Sequence, residues 1–164
     1  MTAAEQPMTA DLQQLAAGIA NARTPLAGII TAGQPTAAQI DRLVRGGVRT
    51  IVDLRAASEP RGFDEPATIA AAGGVYHPVP VAGGAIGGHE FGALRALLRD
   101  AAARPMLVHC ASANRVGAAL IPWLVLDQGL SRDDALRVAH GVGLRSDELA
   151  RAAFTYIDEE AARA

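Results

Sequence analysis

A chain of 164 residues, half of them hydrophobic, falls in the range of one domain with its own core, which excludes a disordered or collagen-like chain. A formal charge of −2 offers no basic footprint for nucleic acid, and all 15 basic residues are arginine, which rules out lysine Schiff bases and a Walker lysine. One cysteine forbids an internal disulfide or a multi-cysteine zinc site. With no signal peptide and no apolar run near ~18 residues, a soluble, membrane-free, cytoplasmic setting is expected.

Residues 1–9 read as a flexible tail, and 10–164 as the folded domain. ADLQQLAAGIANA (10–22) has the apolar spacing of a short amphipathic helix. Leu26 to Thr31 reads as one strand, stopped by Gly33 and Pro35. Thr36 caps a helix over TAAQIDRLVRGG, which ends at the glycine pair 46–47. VRTIVDL (48–54) is a β-branched buried strand, and RAASEPRGFDEP (55–66) a charged loop. ATIAAAGG continues as helix. VYHPVPV (75–81) is extended, and its two prolines make it an edge strand or one that soon leaves the sheet.

AGGAIGG (82–88) is a flexible connection of the kind that forms a lid. HEFGALRALLRDAAAR (89–104) is helical, PMLVHC (105–110) ends in a short buried strand, and RVGAALIPWLVLDQG (115–129) is an apolar helix with a kink expected at Pro122. Ser131 with Asp134 has the form of a capping box for SRDDALRVAH, and a last helix spans 146–162. Strands alternating with helices predict an α/β fold with a mostly parallel central sheet flanked by helices. Sites in such sheets form at the carboxyl ends of strands.

VHCASANRVGAAL (108–120) occupies such an end. A thiol attacks as thiolate, and a helix N-terminus, a nearby cation and converging N–H groups all favour that form. Cys110 stands one short loop before a helix, so all three are within reach. The backbone of Ala111, Ser112, Ala113 and Asn114 can curl into a nest for a tetrahedral oxyanion, and the guanidinium fork of Arg115 can grip two of its oxygens. His109 is placed to orient the cysteine by hydrogen bonds. No metal and no cofactor are required. Nucleophile, anion cradle and arginine clamp describe phosphoryl transfer through a cysteinyl phosphate.

HC-x4-R between an apolar strand and an apolar helix resembles the signature loop of cysteine-dependent protein tyrosine and dual-specificity phosphatases, whose loop is one residue longer. The shorter loop resembles that of rhodaneses. It also resembles that of bacterial phosphatase-like proteins related to the domain fused to beta-lactamase-hydrolase-like proteins. ITAGQPTAAQIDRLVRGGVRTIVDLR (30–55) is similar to the N-terminal pattern of that last group, so the resemblance runs from about residue 20 to 145.

The resemblance implies a phosphatase-like fold and hydrolysis of phosphate monoesters, carried by a phosphorylated protein or a small ester, with phosphate or sulfate binding in the loop. Three departures stand out: Ala113 where the family loop has glycine, Val116 where it has serine or threonine, and no aspartate in VYHPVPVAGGAIGGHE. A left-handed turn in the loop suits Asn114 better than alanine. Glu59, Asp64, Glu65 and His89 are the candidate general acids. Asp53 and Arg55, at the end of a strand and facing the same edge, are expected to serve salt bridges within the fold rather than catalysis, with Arg55 also placed to line the mouth of the pocket. Two other readings stay open: a sulfurtransferase using a Cys110 persulfide, and an anion-binding module with weak catalysis.

Overall fold

Short apolar runs bounded by turn residues become adjacent strands, the β-branched IITA and TIVDLR among them. The computed structural model describes residues 9–82 and 85–164. In chain order the elements are α1 (Thr9–Ala16), β1 (Arg23–Leu26), β2 (Ile29–Ala32), α2 (Ala37–Arg45), β3 (Thr50–Arg55), α3 (Glu65–Ala72) and β4 (Val75–Val81). They continue with α4 (Gly88–Arg99), a 3-10 turn at Ala101–Ala103, β5 (Met106–His109), α5 (Asn114–Leu126), α6 (Arg132–Val142) and α7 (Asp147–Arg163). The five strands lie in the order β1-β2-β5-β3-β4. β2, β5, β3 and β4 run parallel, and β1 returns antiparallel on β2.

Apolar side chains cover both faces, as a parallel sheet requires. One core joins Ile29, Val52, Leu54, Val108 and Cys110 to the inner sides of α4, α5, α6 and α7. The other joins Ile30, Ala32, Ile51 and Leu107 to α1, α2 and α3. Trp123, on α5, is 1% exposed, and the Arg104 guanidinium lies 5.6 Å from its ring centre. Among the described residues no helix is long and apolar enough to cross a membrane.

Most expected elements are present, and the differences have local causes. The single strand expected over 26–31 is a hairpin, because Gly28 adopts φ 79 and reverses the chain between Leu26 and Ile29. The first helix stops at Ala16 rather than reaching residue 22, and Asn21 at φ 55 turns the chain back toward β1. The helix expected from 67 starts earlier, because Asp64 caps it and Pro66 fits its first turn. α4 ends at Arg99, where the Asp100 side chain takes the N–H of Ala102 at 3.0 Å. α5 continues through Pro122 to Leu126.

The full capping box stands at Thr36 and Gln39, whereas Ser131 makes only its own half of one, to the Asp134 N–H. β4 is the edge strand its prolines demand, with a register shift between Asp53 and Arg55 of its neighbour. The expected tail over 1–9 lies outside the described residues up to Met8, and the expected lid over 82–88 does so at 83–84.

Candidate active site

Cys110 is the first residue beyond β5 and is 1% exposed. Side chains alternate along a strand, so Val108 and Cys110 face α5 while Leu107 and His109 face the opposite helical layer. The loop is fastened to the end of β2. Cys110 N–H donates to Ala32 O at 3.3 Å, Gln34 N–H donates to Ala111 O at 3.1 Å, and Gly33 bridges Ser112. A Cβ on Gly33 would stand 2.7 Å from Ala111 O, so only glycine permits this approach.

Ala113 takes the left-handed turn itself, at φ 69, and caps α5 without a side-chain hydrogen bond. This corrects the assignment of the turn to Asn114. That residue instead begins the helix, and its Oδ1 accepts from the N–H groups of Arg145 at 2.7 Å and Ser146 at 3.3 Å. The Ala113 methyl fits because its neighbour is Gly143, where a Cβ would come within 3.0 Å of it.

Arg115, in the first turn of α5, meets Glu59 through two parallel bonds of 2.8 Å and donates to Val81 O at 3.1 Å. Glu59 also accepts from Ala56 N–H at 2.6 Å and from Arg55 Nε at 3.2 Å. The Arg115 bonds, helped by Ala56 N–H and Arg55 and opposed by burial, hold the Glu59 carboxyl at about 2, below its usual 4.5. Glu59 in turn raises the pKa of Arg115 against the effect of burial, with Cys110 adding to the rise.

Behind the loop lies a buried polar cluster. His109 Nε2 is 2.7 Å from Glu65 Oε2, and its Nδ1 is 3.3 Å from Cys110 O. Gln34 donates to Glu65 Oε1 at 2.7 Å and accepts from Arg55 Nη1 at 3.0 Å, linking the His109–Glu65 pair to Arg55 and through it to Glu59. Asp53, fully buried, receives Arg61 through Nε at 2.9 Å and Nη2 at 2.7 Å, the Tyr76 hydroxyl at 2.7 Å, and the Arg55 backbone N–H at 2.9 Å. Asp53 and Arg55 thus both serve salt bridges within the fold, Asp53 with Arg61 and Arg55 with Glu59.

Asp53, Glu65 and His109 offer ligand atoms within 4.8 Å of one another. Their oxygens already serve Arg61, Tyr76, Arg55 N–H, Gln34 and His109. A cation there would have to displace arginine, so the donor set fits an ion-pair network and not a metal site.

The expected residues Cys110, Ala111, Ser112, Ala113, Asn114, Arg115 and His109 thus gather at one edge of the sheet with Glu59. Glu65 supports His109 from behind. Asp64 is spent as the cap of α3, accepting from Ala67 N–H at 3.0 Å. His89 is exposed in the first turn of α4, and among the described residues it makes no hydrogen bond to the loop. Arg61, Tyr76 and Arg145 belong to the site's surroundings without having been singled out from sequence, and Gln34 stands out there only as part of the GQP stretch. For Arg61 and Tyr76 the signal was an apolar strand ending in a charge at Asp53, which demands a buried counter-ion.

Three solved structures share the fold. A DUF442 protein of Shewanella putrefaciens CN-32 aligns with TM-score 0.74 at 21% identity, covering 90% of this chain and 97% of its own. The core catalytic domain of the PP-IP phosphatase SIW14 from S. cerevisiae, solved with citrate, aligns with TM-score 0.70 at 20% identity over 88% and 90%. TpbA of P. aeruginosa, solved in complex with phosphotyrosine, gives 0.60 at 22% identity over 82% and 79%. No curated protein matches the chain. The family model described as DSP-PTPase phosphatase fused to NAD+ kinase matches residues 18–156. With a cysteine and arginine loop at the carboxyl edge of a parallel sheet and a family match over most of its length, the chain belongs to the DSP-PTPase phosphatase family.

Proposed function

We propose that this protein is a cysteine-dependent phosphatase acting on phosphate monoesters of the phosphotyrosine or dual-specificity type. Its substrate is a phosphorylated protein or a small phosphate ester. The observation that carries this reading is the placement of Cys110 and Arg115 on one short loop between β5 and α5, with the guanidinium held by a carboxylate in the geometry a phosphate would use.

The Cys110 thiolate attacks phosphorus and the ester P–O bond breaks. The loop N–H groups from Ala111 to Arg115, with the Arg115 fork, hold the equatorial oxygens. Substrate phosphate replaces Glu59 on Arg115. The released carboxyl, no longer held charged by the arginine, takes up a proton and delivers it to the leaving oxygen. Water then attacks the thiophosphate, the S–P bond breaks, and inorganic phosphate leaves with the thiolate restored. His109, braced by Glu65, fixes the carbonyl of Cys110 and with it the start of the loop. A thiol that must stay reduced suits a cytoplasmic compartment.

The test is hydrolysis of an aryl phosphate. The wild-type chain turns it over, and Cys110→Ser loses at least ~10³-fold in kcat. Equal activity of the variant, or none in the wild type, would sink the reading. In the second case, thiocyanate formation from thiosulfate and cyanide would establish the sulfurtransferase instead.

A further inference from the structure

Arg145 lies in the short connection between α6 and α7, exposed, and has no part in the steps above. It is nevertheless tied at both ends to the loop that holds the nucleophile. Its backbone N–H donates to Asn114 Oδ1 at 2.7 Å, and its Nη2 donates to Ser112 Oγ at 3.0 Å. The next residue, Ser146, shares the same Asn114 oxygen at 3.3 Å and caps the N-terminus of α7.

The other arginines around the loop each meet a carboxylate: Arg55 and Arg115 meet Glu59, and Arg61 meets Asp53. Arg145 meets none among the described residues. Asp147 and Glu148 follow it closely in sequence, yet neither forms an ion pair with it. Its Nε and Nη1 are left without an acceptor among the described residues, on a side chain anchored two positions from Cys110. Ser112, its anchor, is itself partly exposed. The Ser112 bond holds this long cation beside the loop while leaving its charge without a carboxylate partner among the described residues.

We propose that Arg145 forms a second anion subsite at the rim of the loop, selecting substrates that carry two neighbouring phosphate groups, as in a diphosphate or a vicinal bisphosphate, over simple monoesters. The inference rests on the loop being the phosphate site. The reacting phosphate sits on the loop amides and Arg115, and the second phosphate meets the free edge of the Arg145 guanidinium.

Binding in the full chain carrying Cys110→Ser, which prevents turnover, tests this by titration with pyrophosphate and with inorganic phosphate. Pyrophosphate is expected to bind at least ~10-fold more tightly, the worth of one charge-assisted hydrogen bond. Adding Arg145→Gln is expected to cut that preference to about threefold or less, with Arg145→Lys intermediate. Equal loss of both affinities in Arg145→Gln would make Arg145 a brace for the loop and overturn the subsite. So would an absence of preference in the parent. Failure of both anions to bind would overturn the phosphatase reading along with it, whereas phosphate binding without a preference for pyrophosphate removes only the subsite.

Discussion

Replacing Glu59 by glutamine separates two effects of its carboxylate on Arg115. The pair is joined by two 2.8 Å bonds, with the arginine side chain 14% and the glutamate 28% exposed. A carboxyl held at about 2 rather than 4.5 favours its charged form by ~3 kcal/mol. Because more than a quarter of Glu59 reaches solvent, screening reduces the usable part to ~1–2 kcal/mol. Phosphate arriving at the loop has to displace this carboxylate, so the wild-type protein forfeits that much anion affinity. Glu59→Gln is therefore expected to bind inorganic phosphate ~5–30-fold more tightly at pH 7. Its kcat on an aryl phosphate falls ~10²-fold, because an amide has no proton to deliver.

Stability gives an independent reading of the same pair. A carboxyl with a depressed pKa in the folded state contributes fully above its unfolded value of 4.5, and the contribution is lost as pH falls through about 2. The wild-type advantage over Glu59→Gln in urea unfolding should thus narrow between pH 6 and pH 3. Titration calorimetry with phosphate is the deciding assay. Unchanged or weaker phosphate binding in the variant would refute the competition and leave Glu59 as a support that orients Arg115.

Gly143→Ala should cost ~2–3 kcal/mol in urea unfolding, since its φ of 142 disfavours a side chain and its Cβ would meet the Ala113 methyl at 3.0 Å. Ala113→Gly, relieving the left-handed turn but loosening the unfolded chain, should stay within ~0.5 kcal/mol of wild type. The double variant should recover ~1 kcal/mol over the sum, and strict additivity would show that the two residues do not press on one another. Glu65→Ala strips the fully buried His109 and the partly buried Gln34 of their shared partner. A loss of ~3–5 kcal/mol is expected by the same assay, and a loss under ~1 would mean that water already serves these groups.

The alternation of short apolar strands and helices was enough to place the loop at the carboxyl edge, because strand, loop and apolar helix are contiguous from Met106 to Leu126. Contiguity is also why His109, Cys110 and Arg115 were legible together. Glu59 was visible only as one acid among several. Its selection depends on β3 and α5 being brought together across the sheet, which local periodicity does not encode. Arg145 was invisible for the same reason: it reaches Ser112 from 33 positions away, through the fold of α6 against α5. The hairpin of β1 and β2 was missed at one residue, Gly28, whose positive φ is a backbone choice that neighbouring hydrophobicity does not report.

Trp123 is the one tryptophan of the chain, and it sits sealed in α5, the helix whose first turn carries Arg115. Its fluorescence is therefore a single-site gauge of that helix, emitting from an apolar surround beside the Arg104 cation. Loss of the α5 contacts shifts its emission to the red without any label. A ligand that merely settles on the loop leaves the spectrum in place, so a spectral change on adding an anion would report movement of the helix itself.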